Sequence, residues 1–177
     1  MATLLGKNIN LRPLEPEDID FLFSTENNES FWEISSTQTP YSKYILQKYI
    51  ENSHQDIYEA KQYRFVICDI KNIPVGMIDL FDFNPQHQRV GIGLLVTKEH
   101  QNNGYGSEAL EMILDYAFTL LNVHQIFANI TSDNLNSISL FEKFNFKKVG
   151  LKKDWIYSNS VFKDEFLYQL IKNTNES

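Results

Sequence analysis

The stretch Gln101-Asn102-Asn103-Gly104-Tyr105-Gly106 is the part of this 177-residue sequence best suited to holding a ligand. Two glycines let the backbone turn tightly and approach a ligand with no Cβ in the way. The residues that follow read as a helix, whose first N–H groups lack intrahelical acceptors and lie at the positive end of its dipole. A pyrophosphate suits such a cradle. No Gly-Lys-Ser/Thr follows, so this is not a Walker loop, and the glycine spacing is not that of a dinucleotide fold. Taken alone, the hexapeptide reads equally well as a strand-to-helix turn with no ligand. A second chemical feature is Asp79. It interrupts Val75-Gly76-Met77-Ile78-Asp79-Leu80-Phe81, a run apolar on both faces as a covered central strand should be. A carboxylate there is costly unless it is hydrogen-bonded or functional. Cys68, the sole cysteine, lies in an apolar run and reads as an inert buried thiol. His54, His87, His100 and His124 show no metal-ligand spacing, so no metal is expected.

The elements that must position these groups follow from periodicity. Ile9–Leu14 reads as an opening strand, a short helix begins near Ile19, and residues 24–40 read as loop or broken helix. Tyr41–Ser53 carries a helical apolar stripe. Arg64–Ile70, Pro74–Phe83 and Gln88–Val96 read as three strands with short links, hence antiparallel neighbours. Ser107–Leu121 is the clearest helix, with Leu110, Ile113, Leu114, Ala117, Phe118 and Leu121 on one face. His124–Thr131 is a strand, and the crossover through that helix permits parallel pairing with residues 88–96. Asn134 reads as the N-cap of a helix to Phe144, with Asn145 as its left-handed C′ residue. Strands Lys147–Tyr157 and Val161–Ile171 close one α+β domain spanning 1–177, with a mixed sheet and no linker, repeat or low-complexity tract.

Gln-x-x-Gly-x-Gly after a strand, a long helix, a strand, then Asn134-x-x-Ser137-Ile138-x-Leu140-Phe141-Glu142-Lys143-x-x-Phe146 resembles the GNAT superfamily of acyl-CoA-dependent N-acetyltransferases. Leu11-Arg12-Pro13-Leu14 with Glu17-Asp18 is similar to its ribosomal-protein N-acetyltransferase branch. Val75–Phe83 and Lys163-Asp164-Glu165 through Leu170 are similar to that branch and to bacterial spermidine/spermine acetyltransferases. The resemblance implies a mostly antiparallel sheet of about seven strands flanked by helices, with a bulged central strand at 92–96 splayed open for coenzyme A. It implies acetyl-CoA as donor, its pyrophosphate held by the loop amides of Asn102, Asn103, Gly104, Tyr105, Gly106 and Ser107, with Gln101 as a further coenzyme-binding residue. Leu94, Leu95 and Val96 would bind the pantetheine arm, a backbone N–H near Leu95 or Val96 holding the thioester carbonyl. Asn134, Ser137, Phe141 and Lys143 complete the implied coenzyme site. Lysines 143, 147, 148, 152 and 153 form the one basic cluster, near the coenzyme phosphates, though most of them read as lysines of a solvated face.

Two departures from the family pattern bear on catalysis. The tyrosine that usually meets the departing thiolate is Phe141 here. A thiol of pKa ~8.5 leaving at pH 7 is mismatched by about 1.5 units, or ~2 kcal/mol, a survivable loss. The glutamate that many relatives carry before the bulge is replaced by Val90-Gly91. Asp79 is then the leading proton acceptor, with Asp82 and His87 nearer the strand end, and Trp32 and Glu33 as acceptor-site residues. These departures also raise a second reading, a catalytically weak acyl-CoA-binding sensor.

Charge narrows the partners. The formal net charge is −7, and residues 1–60 hold ten acids against four bases. A nucleic-acid binder needs a basic footprint and is excluded. No run of apolar residues is long enough for a membrane span, and no secretory signal is visible at the amino terminus, so the cytoplasm is the default address. An acidic first third suits a cationic small amine or peptide acceptor. The implied family also makes a homodimer through the terminal strands an expectation.

Overall fold

A computed structural model describes residues 4–173; the first three residues of the amino-terminal stretch read for a signal, and residues 174–177, lie outside it. The strands are β1 (Ile9–Pro13), β2 (Tyr63–Asp69), β3 (Pro74–Asn84), β4 (Arg89–Val96), β5 (Gln125–Thr131), β6 (Lys147–Ser158) and β7 (Val161–Ile171). The helices are α1 (Ile19–Glu26), α2 (Trp32–Ser35), α3 (Lys43–Asn52), α4 (Ile57–Ala60), α5 (Tyr105–Thr119) and α6 (Leu135–Lys143). One seven-stranded sheet has the order β1-β2-β3-β4-β5-β7-β6. Only β4 and β5 pair in parallel, joined by the α5 crossover that parallel neighbours require.

Alternation along the strands builds a core on each face. Phe65, Ile67, Ile78, Leu80, Val90 and Ile92 pack with Ala109, Leu110, Ile113 and Ala117 of α5. On the other face Met77 packs with Leu22 of α1 and Leu46 and Ile50 of α3, and Val66 and Cys68 pack beneath Leu14. The apolar run in β3 is therefore covered on both sides, as its sequence requires. Arg12 pins the segment after β1 by two bonds to the buried Asp18, at 2.7 and 2.8 Å.

Local signals place the helix ends. Ser42, Asp56 and Asn134 each cap a helix through a side-chain oxygen, and Asn145 takes φ 66° after α6. Residues 24–40 split into the end of α1, a 3-10 turn at Glu29–Phe31, and α2. α4 escapes a periodicity argument because four residues make barely one turn. α5 begins two residues earlier than its apolar stripe suggests, since Gly104 at φ 79° is the cap and Gly106 lies inside the first turn.

The central opening differs in detail from the expectation. β4 pairs with β5 only at Arg89–Gly91, and the two strands then part from each other while continuing to Val96 and Thr131. β4 nevertheless carries no bulge at 92–96: its ladder to β3 is unbroken from Gly91 to Val96. The register shift lies in β3, between Phe81 and Asn84, where Asp82 adopts φ 48°. Among the described residues no helix is long and apolar enough to cross a membrane.

Candidate active site

The site begins at the N-terminus of α5. No side chain caps this helix, in contrast to α3, α4 and α6, and its first intrahelical bond runs from Glu108 N–H to Gly104 carbonyl. The preceding N–H groups are therefore left to an outside acceptor. A Cβ on Gly104 would meet no atom within 4 Å, so the backbone there faces open space. Gly106 packs close to the walls, a Cβ there lying 3.4 Å from Leu94 and 3.6 Å from Val96 side chains. Lys143 at the end of α6 donates to Ser107 Oγ at 3.3 Å, setting an ammonium beside the same helix start. Free amides, a helix dipole, an exposed glycine and a cation together fit a diphosphate, the part of coenzyme A this cradle would hold.

From the cradle a cleft of about 380 Å3 runs along β4, lined by Leu94, Leu95, Val96, Gln101, Asn102, Gly104 through Ser107, Asn134 and Ser137. Asn103 does not line it; its amide turns back to the His100 carbonyl at 3.1 Å. Register decides which β4 amides are free. Thr97 N–H donates to Val75 carbonyl across the antiparallel ladder, where alternate residues exchange bonds. Leu95 and Gly93 are thus committed to β3, while Ile92, Leu94 and Val96 point their polar groups into the opening. The Val96 carbonyl accepts from Gln101 Nε2 at 3.0 Å. The Leu95 N–H is therefore bonded across the ladder, while the N–H groups of Leu94 and Val96 face the opening.

Asn134, Ser137, Leu94 and Ile34 also line a second cavity of about 490 Å3, which continues the cleft. Residues from both faces of the sheet, among them Phe81, Ile92, Asn129 and Ile130, line it, so it passes through the gap between β4 and β5. Asn134 spends its side-chain oxygen on the Ser137 N–H at 3.2 Å, so it is a cap and a cleft residue at once. Phe141 is 4% exposed, lines this second cavity and packs edge-on against Phe146.

A third cavity of about 580 Å3 follows, sharing Glu33, Ser36, Trp155 and Ile156 with the second and adding Glu29 and Trp32. Trp32 donates its indole N–H to the Glu26 carbonyl, and Glu33 accepts from Lys163 at 2.7 Å and from Ser158 at 3.3 Å. Hydrogen bonds to Asp133 and then Glu33 hold the Lys163 ammonium above the usual lysine range, and the Asp133 carboxyl is lowered in turn. Sequence reasoning missed Lys152, Trp155 and Glu165, which line the middle cavity with Glu33. They arrive there through a bulge: register shifts between Lys152 and Ile156, Asp154 takes φ 49°, and its N–H bonds Asp164 at 2.9 Å. Bulges re-aim side chains in this way, but nothing in Lys152-Lys153-Asp154-Trp155 announces one. Of the basic cluster, Lys143, Lys147, Lys148 and Lys153 are exposed, as the solvated-face reading expects of most of its lysines. Lys143 reaches the coenzyme end, Lys148 lies over Phe166, and Lys152 pairs with Glu165 inside the channel.

Three sequence candidates for acid–base or acceptor roles fall elsewhere. Asp79 lies opposite Arg64 across the β2–β3 ladder, and Arg64 Nε and Nη2 donate to its two oxygens, each at 2.7 Å. Arg64 also donates to Glu26. Burial alone would loosen the proton of Arg64, but Asp79 and Glu26 outweigh it and hold the guanidinium well above its usual range. Asp79 thus lines a separate polar recess with Arg64 and Tyr49, and the hydrogen bonding that its strand position demands comes from Arg64. Both of its oxygens are held by Arg64, outside the three cavities that begin at α5. Asp82 is exposed in the β3 irregularity. His87 is exposed in the β3–β4 turn, where its N–H bonds Asn84 at 2.9 Å. Neither Asp82 nor His87 lines the channel. Among the described residues no group of three or more His, Cys, Asp or Glu side chains is placed to hold a metal ion.

Comparison with known proteins identifies the family and the fold. The chain is 26% identical over 163 residues to the spermidine N(1)-acetyltransferase of Vibrio cholerae, covering 90% of this chain and 91% of that one. A Vibrio cholerae spermidine N-acetyltransferase solved with CoA and spermine superposes with a TM-score of 0.85 at 23% identity, covering 94% and 96% of the two chains. A dodecameric structure of the Vibrio cholerae enzyme gives 0.79 at 27% identity, covering 94% and 95%. Residues 8–147 match the model of the acetyltransferase (GNAT) domain. That span holds β4, the uncapped start of α5 and α6 together, and by it the chain belongs to the GNAT family of acetyl-CoA-dependent N-acetyltransferases.

Proposed function

We propose that the protein acetylates a cationic primary amine of the polyamine class, with donor and acceptor entering one channel from opposite ends. The observation that carries this reading is the merging of three cavities through shared residues, from the uncapped α5 terminus to a mouth bearing Glu29 and Glu33. The spermidine acetyltransferases among its relatives support the acceptor class.

The chemistry follows from the lining. The diphosphate rests on the α5 amides beside Lys143, and the pantetheine arm lies along β4, bonding the free amides and carbonyls of Ile92 and Leu94 in place of β5. The thioester carbonyl accepts from the Leu94 or Val96 N–H, which stabilises the oxyanion as the amine attacks. An alkylammonium of pKa ~10.4 must first lose a proton at pH 7, a cost of about 4.6 kcal/mol. Glu33 and Glu165 are the carboxylates lining the middle cavity, and one of them takes that proton, directly or through water. With a phenyl ring at Phe141, a hydroxyl for the departing thiolate comes from Ser137, one turn earlier on the same face of α6 and lining both cavities.

The test is thiol release from acetyl-CoA against a panel of spermidine, spermine, aminoglycosides and peptides with free N-termini. Polyamine turnover well above the others supports the reading. Coenzyme binding with no turnover on any amine would leave an acyl-CoA sensor instead.

A further inference from the structure

Lys152 extends from β6 into the middle cavity, which it lines together with Leu94, Ser137 and Phe141. Its Nζ lies 2.5 Å from Glu165 Oε1 and 3.2 Å from Asn129 Oδ1, and 4.9 Å from the centroid of the Trp155 ring. A carboxylate, an amide oxygen and an aromatic face form the surroundings a reacting primary ammonium requires. Here the chain itself fills them. Lys143, Lys147, Lys148 and Lys153 are exposed, and none of them lines this cavity.

We infer that Lys152 is itself an acceptor, and that the protein acetylates its own Lys152 Nζ when the donor is bound. Glu165 takes one proton from the ammonium, and the free amine attacks the thioester carbon. The N–C bond forms and the C–S bond breaks, the second N–H proton passing to the departing thiolate. Glu165 then releases its proton to solvent, so the products are acetyl-lysine, coenzyme thiol and one proton. The acetyl group removes the charge at Lys152, leaving Glu165 without its cation inside the channel. The inference rests on the donor path proposed above.

The experiment incubates the full chain with isotope-labelled acetyl-CoA and no added amine, then maps label by mass spectrometry. Label is expected on Lys152 well ahead of the exposed Lys147, Lys148 and Lys153. Its rate constant should be independent of protein concentration, rise with pH and be suppressed by excess coenzyme A. In Lys152→Arg the label at this position must vanish, but the wild-type map decides even where that variant folds poorly. Label spread evenly over exposed lysines, unaffected by coenzyme A, would be solution acylation and would overturn the inference. Spermidine turnover in the same preparation separates the two failures. Turnover without label on Lys152 overturns self-acetylation alone; absence of coenzyme binding overturns the proposed donor path and this inference with it.

Discussion

Replacing Gly104 with valine separates the cost to the fold from the cost to the ligand. Gly104 sits at φ 79°, and an added Cβ meets nothing within 4 Å, so the substitution creates no clash inside the protein. The fold loses only the left-handed penalty of a β-branched residue, about 1–2 kcal/mol. For a chain of this length that lowers Tm by about 2–8 °C. The ligand loses more. The new side chain occupies the space in front of the α5 amides, and each charge-assisted hydrogen bond lost costs about 1.5–3 kcal/mol. One such loss weakens coenzyme A binding about tenfold to hundredfold. Calorimetric titration with coenzyme A and a thermal melt on the same sample read both effects. Gly104→Asn sharpens the contrast, since asparagine tolerates this backbone: its Tm should stay near wild type while affinity still falls. A Kd within twofold of wild type in Gly104→Val would refute the assignment of the donor diphosphate to this cradle.

Phe141→Tyr restores a hydroxyl in the middle cavity and should raise kcat at pH 7 about tenfold, measured by thiol release; an unchanged kcat would mean that thiolate departure is not limiting. Glu33→Gln should raise KM for spermidine about tenfold with coenzyme A affinity unchanged, because Lys163 keeps its bond to Asp133 at 2.7 Å. Asp79→Asn disrupts the bidentate pair with Arg64, so a lower Tm with turnover within a few fold of wild type is expected; a loss of about a thousandfold in kcat would make Asp79 the base after all. Asp18 sets part of the acid limit of stability. Burial works to raise its carboxyl, but hydrogen bonds from Arg12 and the Glu15 amide hold it below its ordinary value. Its contribution is therefore present above about pH 4 and is lost as pH falls through its folded pKa. Asp18→Asn should flatten that limb of an acid titration and cost about 1–3 kcal/mol at pH 7.

The parts of this site legible in sequence are those set by local chemistry. The stripe Leu110, Ile113, Leu114, Ala117 dictates α5, the glycine pair dictates its open start, and Asn134 and Asn145 mark both ends of α6 through their own side chains or backbone. What escaped depends on register. Asp79 looked like an orphaned acid because its partner, Arg64, lies on a different strand and meets it only through the β2–β3 alignment, although Arg64 is the one cation in β2. Leu95 and Leu94 differ by a single step of alternation in whether their polar groups face β3 or the opening, which Thr97 and Val75 fix from across the ladder. The bulge that turns Lys152 and Trp155 into the channel rests on Asp154 in a left-handed conformation with no glycine to signal it. Even the acidic first third divides by packing: Glu29 and Glu33 line the outer cavity, while Glu26 is committed to Arg64 and Glu51 lies in a separate surface recess beside α3.

The central claim is that donor and acceptor meet in one channel and react directly. Initial rates of thiol release, with acetyl-CoA and spermidine each varied at several fixed concentrations of the other, test it most directly. Intersecting double-reciprocal lines, as a ternary complex requires, are the predicted result; parallel lines, the mark of an acetyl group passed through the protein before the amine binds, would contradict it.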